Sequence, residues 1–287
     1  MQVIKYMFQP HGDDRGQLVA FEEFKDIPFR IKRVYYMYDT KAGVVRGKHA
    51  HKSLEQILVC ITGSCKILLD NGHEKKVVHL EKPYEGLYVA NDMWREMYDF
   101  SEGAVLLVLA SELYDESDYI RDYDEFLNLI KIKNSNAPTT PCRLSLAEKK
   151  YSAFTKYFFP SYGDEFGKVV AVEGLKNIPF DIKRVYYMYD TTAGVVRGKH
   201  AHRDLEQVLI CVSGSCKISF EDGHEKKVFT LEKPEEWLYM PKNIWGEQFD
   251  FSEGAVLLVL ASELYDESDY IRDYNEFLEL VKIKNEN

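Results

Sequence analysis

The sequence predicts an all-β protein with two tandem jelly-roll β-barrel domains, each followed by one α-helix. Three observations predict it: a long internal repeat, short strand-like runs separated by turns, and a helical pattern at the end of each copy. The hexapeptide RGKHAH begins at Arg46 and again at Arg197, and 197 minus 46 gives an offset of 151 residues. This offset far exceeds the roughly 20 to 50 residue periods of solenoids and propellers. Each copy should therefore bury its own core.

The predicted strands are short runs rich in β-branched and aromatic residues. Turn sequences separate them, among them TGS at 62–64 and DNG at 70–72. Many short strands with regular turn signals are typical of barrels and jelly rolls. In the first copy the predicted strands cover residues 31–39, 56–61, 65–69, 76–80 and 105–110.

The end of each copy changes from strand-like to helical spacing. In the first copy this pattern comprises Ile120, Tyr123, Phe126 or Leu127, and Ile130. The acidic segment 115–118 precedes it and is expected to cap the helix. We therefore predict one C-terminal amphipathic helix packed against each barrel.

The predicted domains are residues 1–134 and 152–287, joined by a linker at 135–151. The join is polar, contains Pro138 and Pro141, and lacks periodicity, as linkers do. It also holds Cys142, the one cysteine of five without a counterpart 151 residues away. The other four contain no C-x-x-C pair, so we expect reduced thiols packed as small hydrophobic side chains.

Composition narrows the function classes. The chain has 287 residues, 45% of them hydrophobic and 29% charged, with a net charge of -10. This charge argues against a nucleic-acid partner bound through phosphates, but an anionic small ligand fits if basic residues gather locally. The longest apolar run, 104–110, is too short to span a bilayer, and the N-terminus has no apolar signal core. We expect a cytoplasmic protein without a membrane partner.

Two histidines carry the first functional motif. His49 and His51 are two residues apart, so on a strand both point to the same face. With Gly43 before them they resemble the first motif of the cupin superfamily, whose fold is a small jelly-roll barrel. In metal-binding cupins the same stretch adds a glutamate, and here Glu55 or Gln56 falls at that position.

The remaining cupin ligand is a histidine in a second motif. Arg95 falls at this position in the first copy and Gly246 in the second, and neither side chain is a metal ligand. Two histidines without a third strong ligand rarely define a transition-metal site, so we expect no metal and no other cofactor. The alternative is that the histidines are only packed in the core. Both histidines recur beside arginine and lysine in the two copies, and this disfavours a role in packing alone. Paired histidines can transfer protons from carbon acids near neutral pH.

Longer strings resemble the cupin-type dTDP-4-keto-6-deoxyglucose 3,4-ketoisomerases over nearly all of each copy. In the first copy these strings occupy residues 26–29, 31–36, 46–51, 63–67, 97–100 and 114–121. The resemblance implies an isomerase that moves the carbonyl of a dTDP-linked 4-keto-6-deoxyhexose from C4 to C3 through an enediol. The product would supply 3-amino sugars for bacterial surface glycans such as the O-antigen of lipopolysaccharide.

The resemblance also implies roles for individual residues. The first histidine of each copy is the base, a tyrosine assists proton transfer or binds sugar oxygens, and the second histidine supports the first. Arginines contact the diphosphate or the enolate oxygen, because guanidinium groups suit such oxygens. The candidates are His49, His200, Tyr35, Tyr186, His51, His202, Arg33, Arg184, Arg46, Arg197 and Arg15. Strict alternation would face Arg46 outward, unless Gly47 permits a β-bulge; each arginine has the alternative of being a solvated surface charge.

The two copies differ in two places near these residues. Arg15 in the first copy corresponds to Phe166 in the second, and Arg95 corresponds to Gly246. In the resembling family the Arg15-Gly16 loop is linked to C4 stereochemistry, and Arg-Gly resembles the galacto-configured type. The first copy fits this type. Phe166 departs from it, so the second copy is expected to be weakened, altered in stereochemistry or tolerant.

Other hypotheses stay open at this point. They are a dTDP-sugar 3,5-epimerase-like cupin, a metal-dependent cupin oxygenase, and a non-catalytic sugar-nucleotide binding module. Relatives of this type form dimers that exchange an N-terminal strand. We therefore expect the two copies to pair within one chain as a pseudo-dimer, and further association into a homo-oligomer stays open.

Overall fold

The computed structural model describes residues 3–133 and 151–285. Strands dominate and one short helix ends each copy, which confirms the predicted all-β fold class. Cys142 and the predicted linker, except Tyr151, lie outside the described residues, so the domain boundaries at the join stay a prediction. In the described part of the chain, no helix combines the length and apolar character needed to cross a membrane.

The first copy contributes twelve strands and helix α1. The strands are β1 (Ile4–Met7), β2 (His11–Asp13), β3 (Gly16–Glu22), β4 (Arg33–Tyr38), β5 (Arg46–His51), β6 (Gln56–Thr62), β7 (Cys65–Asp70), β8 (Lys75–Leu80), β9 (Glu85–Val89), β10 (Trp94–Tyr98), β11 (Val105–Ala110) and β12 (Tyr119–Ile120), followed by α1 (Tyr123–Lys133).

The second copy repeats this order with twelve strands and helix α2. The strands are β13 (Lys156–Phe158), β14 (Ser161–Asp164), β15 (Gly167–Glu173), β16 (Arg184–Tyr189), β17 (Arg197–His202), β18 (Gln207–Ser213), β19 (Cys216–Glu221), β20 (Lys226–Leu231), β21 (Glu236–Met240), β22 (Trp245–Phe249), β23 (Val256–Ala261) and β24 (Tyr270–Ile271), followed by α2 (Tyr274–Asn285).

The described residues form two compact units, each built mainly from one copy plus a segment of the other. Unit one contains residues 3–7, 29–133 and 162–176. Its seven-stranded sheet has the order β1-β9-β6-β11-β4-β15-β14, and its five-stranded sheet has the order β12-β5-β10-β7-β8.

Unit two contains residues 8–28, 151–161 and 177–285. Its sheets have the orders β13-β21-β18-β23-β16-β3-β2 and β20-β19-β22-β17-β24. Each unit is thus a two-sheet barrel with its hydrophobic core between the sheets.

An exchanged strand pairs with the fourth strand of each barrel. In unit one, β15 runs antiparallel to β4, with Glu173 opposite Arg33 and Lys168 opposite Tyr38. In unit two, β3 pairs in the same way with β16. Without this partner the backbone groups along one side of β4 would form an open sheet edge. The exchange therefore satisfies them, and it brings residues of one copy to the barrel of the other.

Aliphatic side chains from both sheets fill the barrel interior. In unit one the core includes Leu58, Ile67, Leu106 and Val108, all buried, and unit two has an equivalent cluster. The cysteines of both barrels belong to these cores as free thiols, as the sequence predicts. Because the interior is closely packed, polar side chains that border it are held in defined positions.

Helix α1 begins later than the sequence pattern predicts. Ile120 lies in β12, because it pairs with Ala50 of β5, and the helix starts at Tyr123. Asp115 does not cap α1: its side chain accepts a hydrogen bond from the Ser117 amide at the start of a separate 3-10 turn. The helix packs against the five-stranded sheet through Phe126, which is buried.

Candidate active site

A β-bulge shapes the histidine strand of each barrel. In unit one, β10 pairs with β5 so that Arg95 lies opposite His49 and Glu96 opposite Gly47, which leaves Lys48 as the extra residue. Gly47 has φ 83° and Lys48 has φ 54°. The same register shift occurs in β17 at Gly198. The bulge that Gly47 permits is therefore present in both copies.

The two histidines of each copy lie edge to face. The ring centroids of His49 and His51 are 4.8 Å apart, and those of His200 and His202 are also 4.8 Å apart. His51 is buried, and its Nδ1 atom lies 2.8 Å from Oδ2 of Asp118. The carboxylate favours the tautomer that carries its proton on Nδ1. His51 is thereby held in one orientation beside His49.

The environment keeps these histidines neutral near pH 7. Burial lowers the pKa of His49 far below its ordinary value of 6.5, and the charges of Arg95 and His51 lower it further. Burial also lowers the pKa of His51 to about 4, although the hydrogen bond with Asp118 acts in the opposite direction. In the second copy the pKa of His200 is likewise lowered, first by burial. A neutral imidazole is the form that can accept a proton.

A tyrosine and an arginine from β4 face the same interior. The Arg33 guanidinium lies 5.4 Å from the ring centroid of Tyr35 and 5.6 Å from that of Tyr114. The Nε2 atom of Gln56 donates to the Tyr35 hydroxyl at 2.6 Å. Burial raises the pKa of Tyr35 to about 12, so its hydroxyl keeps its proton. Glu55, the other residue near the cupin glutamate position, instead accepts a hydrogen bond from the Tyr88 hydroxyl.

Unit two has the same arrangement around a cavity of about 690 Å³. The Nε2 atom of Gln207 donates to the Tyr186 hydroxyl at 2.9 Å, and the Arg184 guanidinium lies 5.5 Å from the Tyr186 ring. The cavity is rich in cationic side chains. Its wall includes His200, Tyr186, Gln207, Lys25, Arg184, Arg197 and Arg272. A cavity of this size and charge can hold a phosphorylated small molecule.

Arg46 and Arg197 form hydrogen bonds with the exchanged strands. Nη2 of Arg46 donates to the carbonyl oxygen of Gly167 at 3.0 Å, and Nη2 of Arg197 donates to that of Gly16 at 2.8 Å. Arg197 also lines the cavity of unit two. Both arginines therefore have a structural contact in addition to any ligand contact.

Arg15 lies in the unit of His200, not in that of His49. Its carbonyl oxygen accepts a hydrogen bond from the Thr192 amide, and its exposed guanidinium pairs with Asp13. Conversely, the carbonyl oxygen of Phe166 accepts a hydrogen bond from Lys41 in unit one. Because of the strand exchange, the loop of each copy lies in the same unit as the histidines of the other copy.

The site also contains residues that sequence patterns do not point to. Asp118 appears in the sequence only as part of an acidic capping segment, and the ring of Tyr119, 5.0 Å from that of His49, carries no distinctive signal. In the sequence Arg95 stands only where a metal ligand is missing, yet it is 1% exposed and lies opposite His49 on the neighbouring strand. Among the described residues, no group of three or more histidine, cysteine or acidic side chains is arranged to hold a metal ion.

Both copies match one known protein family. Residues 1–131 and 152–282 each match the model of the family described as "WxcM-like, C-terminal" (FdtA). A TDP-4-oxo-6-deoxy-alpha-D-glucose-3,4-oxoisomerase from Aneurinibacillus thermoaerophilus is 57% identical over 118 residues, which cover 41% of this chain and 85% of that protein.

Solved structures with similar sequences carry related names. A 3,4-ketoisomerase from Helicobacter canadensis is 52% identical, with 46% of this chain and 98% of that chain covered and a TM-score of 0.45. The sugar 3,4-ketoisomerase QdtA from Thermoanaerobacterium thermosaccharolyticum, solved with TDP, is 45% identical, with 45% and 95% covered and a TM-score of 0.44. Because the two family matches together span most of the sequence, the chain belongs to the WxcM-like, C-terminal family and carries two copies of its domain.

Proposed function

We propose that the chain is a 3,4-ketoisomerase that converts dTDP-4-keto-6-deoxyglucose to a dTDP-3-keto-6-deoxyhexose. The observation that carries this proposal is the neutral His200 in the wall of a cavity that also presents Arg184, Arg197 and Arg272. A base beside several guanidinium groups suits proton abstraction from a sugar bearing a diphosphate. The names of the relatives at 45% to 57% identity support the same reaction.

The proposed reaction is an internal redox exchange that needs no external oxidant. The imidazole of His49 or His200 removes the proton from C3, and the electron pair of the C–H bond forms a C3–C4 double bond. The C4 carbonyl oxygen takes a proton and becomes a hydroxyl of the enediol. The C3 hydroxyl then loses its proton, a carbonyl forms at C3, and C4 receives the proton from the imidazolium. C3 is oxidised, C4 is reduced, and the atoms balance.

Neighbouring side chains stabilise the charge that develops in this sequence. The Tyr35 and Tyr186 hydroxyls remain protonated because burial raises their pKa values, so each can donate to the enediolate oxygen. Arg33 and Arg184 supply fixed positive charge above these rings. The proposed role of His51 and His202 is to orient the first histidine, because both are buried and bonded to a carboxylate.

For the His200 site we propose a galacto-configured product. This proposal relies on the resemblance of the Arg15-Gly16 loop to the galacto type and on the position of that loop in unit two. The carbonyl oxygen of Gly16 contacts Arg197, and Gly16 itself lines the cavity. The proposed pathway role is supply of a keto sugar to an aminotransferase that makes 3-amino sugars for surface glycans.

Two further expectations belong to this proposal. The presence of strands from both copies in each unit supports an intrachain pseudo-dimer as the working form. The buried free thiols support a reducing compartment, the bacterial cytoplasm.

Turnover by chelator-treated protein tests the proposed function. We expect the carbon-13 spectrum of the sugar to show the carbonyl moving from C4 to C3 after the protein has been stripped of metal. Turnover that requires added iron would instead support the oxygenase hypothesis, and exchange at C5 would support a 3,5-epimerase. Tight dTDP binding without any change of the sugar would indicate a binding module.

A further inference from the structure

The residue opposite the first histidine differs between the two units. In unit one it is Arg95, whose Nη1 atom donates to the carbonyl oxygen of His49 at 3.4 Å. Its Nε and Nη2 atoms are buried and have no hydrogen-bond partner among the described residues. Burying a guanidinium with unsatisfied donors is costly, and stability alone does not explain it. These unpartnered N–H groups lie inside the barrel of unit one, next to the backbone of His49.

Unit two has no charge at this position. Gly246 lies opposite His200, and a Cβ atom there would come within 2.7 Å of the terminal methyl of Met240. Met240 replaces Val89 of the first copy, so a larger apolar side chain accompanies the loss of the arginine. Other cations are matched between the copies: Arg33 corresponds to Arg184, and Arg121 to Arg272. The interior of unit one therefore carries one extra positive charge.

The exchanged loops add a second difference: here the arginine belongs to unit two and is absent from unit one. Unit one has Arg95 in its interior and Phe166 on its loop, whereas unit two has Gly246 in its interior and Arg15 on its loop. Each barrel thus has one arginine from these two positions, but in a different place. In unit two Arg15 forms an ion pair with Oδ2 of Asp13. The other carboxylate oxygen, Oδ1, lies 3.8 Å from Nη2 of Arg197 in the cavity wall.

We propose that the chain contains two chemically unequal sites, in which Arg95 stabilises the enediolate at the His49 site alone and each loop serves the histidine of the opposite copy. Arg15 is accordingly a positioning residue for Arg197 at the His200 site, through Asp13. This inference rests on the proposed ketoisomerase function. It goes further by assigning a charge-stabilising residue to one site and a cross-copy loop to each.

Single-site variants separate the two contributions. His200→Asn leaves only the His49 site working, and His49→Asn leaves only the His200 site. In the His200→Asn background we expect Arg95→Met to slow exchange of the C3 proton by about 10² to 10³ fold, as removal of one oxyanion donor does. In the His49→Asn background the same substitution should change the rate by less than about twofold. Equal losses in both backgrounds would overturn the assignment and indicate a general structural effect.

A pH profile distinguishes an electrostatic role from a structural one. The charged and titratable groups around His49 include Arg95 on β10, His51 on the same strand, Tyr119 on β12, and Arg121 and Glu116 near that strand, while Asp118 acts on His51. Arg95 lowers the pKa of His49, so its removal must raise that pKa. The acid limb of the rate should therefore move to higher pH in Arg95→Met, and Arg95→Lys should restore much of the original limb. An unchanged limb would contradict the proposal.

The loops provide the matched test of cross-copy assembly. Arg15→Ala should slow exchange in the His49→Asn background and leave the His200→Asn background within about twofold. A loss confined to the His200→Asn background would show that the loop serves its own copy and would overturn this part of the proposal.

Nitrogen-15 spectra of the histidine rings, recorded as a function of pH, measure the pKa of His49 without requiring activity. They therefore test the charge asymmetry even if the wild-type chain shows no C3 exchange. That result would defeat the proposed function, and with it the enediolate role of Arg95. A rise in the His49 pKa on Arg95→Met would then still support the charge asymmetry of the two interiors, whereas an unchanged pKa would overturn it.

Discussion

Nδ1 of His51 lies 2.8 Å from Oδ2 of Asp118, and the equivalent pair, His202 and Asp269, has the same separation. Burial alone would raise the pKa of Asp118, but hydrogen bonds from His51 and Ser53 outweigh it and hold that pKa well below its usual range. The carboxylate is therefore charged at neutral pH. It fixes the proton of His51 on Nδ1 and with it the orientation of the second histidine.

Asp118→Asn should impair the His49 site through this orientation. An asparagine amide can present N–H to His51 and so favour the wrong tautomer, which leads us to expect a loss of about 10-fold or more in the His200→Asn background. Asp115→Asn is the matched control, because Asp115 caps the adjacent 3-10 turn without a hydrogen bond to His51. Similar rates for the two variants would argue against the orienting role.

Buried histidines should make the fold sensitive to mild acid. The folded-state pKa values of His51 and His202 are about 4, below the ordinary 6.5, mainly because of burial. Their contribution to stability is complete above pH 6.5 and is lost as the pH falls towards 4, since the unfolded chain binds protons first. The free energy of unfolding in urea should decrease by up to about 1.4 kcal/mol per pH unit for each such histidine. A double variant, His51→Asn with His202→Asn, should have a shallower dependence, and an equal slope would contradict the prediction.

The bulge at Gly47 should tolerate no side chain. A Cβ atom there would lie 2.8 Å from the carbonyl oxygen of Arg95 and 2.9 Å from the sulfur of Met97. Gly43 has a similar positive φ, 77° against 83°, but nothing within 4 Å of an added Cβ. Gly47→Ala should therefore destabilise the protein by about 1–3 kcal/mol more than Gly43→Ala, as overpacking does. Thermal unfolding of the two variants measures this difference, and equal melting temperatures would refute it.

The contact between Tyr35 and Gln56 should show energetic coupling. Tyr35→Phe leaves the Nε2 atom of buried Gln56 without its acceptor at 2.6 Å, which should cost about 1–3 kcal/mol. Adding Gln56→Met removes the orphaned donor, so the double variant should recover part of the loss. Urea unfolding of the four proteins in the cycle gives the coupling energy. Additive effects would mean that the hydrogen bond does not contribute to stability.

Much of the fold follows from local sequence patterns. The strand predicted at 105–110 coincides with β11, and those at 56–61 and 65–69 differ from β6 and β7 by one residue. Alternation and turn residues are local signals, so they define strands well. The helix starts at Tyr123, later than predicted, because Ile120 fits both helical spacing and a short strand, and only its pairing with Ala50 decides between them.

The candidate site was harder to predict, because its decisive features are long-range. Exchange of β3 and β15 cannot be deduced from the periodicity of either strand, yet it decides which loop meets which histidine. A buried arginine is improbable for any given position, so the sequence gives no reason to place Arg95 in the interior. Asp118 resembles an ordinary capping residue until β12 brings it to His51.

Proton exchange at C3 tests the central claim most directly. The wild-type chain should replace the C3 proton of dTDP-4-keto-6-deoxyglucose with deuterium in heavy water, seen as loss of that signal in the proton spectrum. Each single variant, His49→Asn or His200→Asn, should retain part of the activity, and the double variant should leave the C3 signal intact while still binding dTDP. Exchange at the wild-type rate by the double variant would contradict the assignment of these histidines as the bases of two proton-transfer sites.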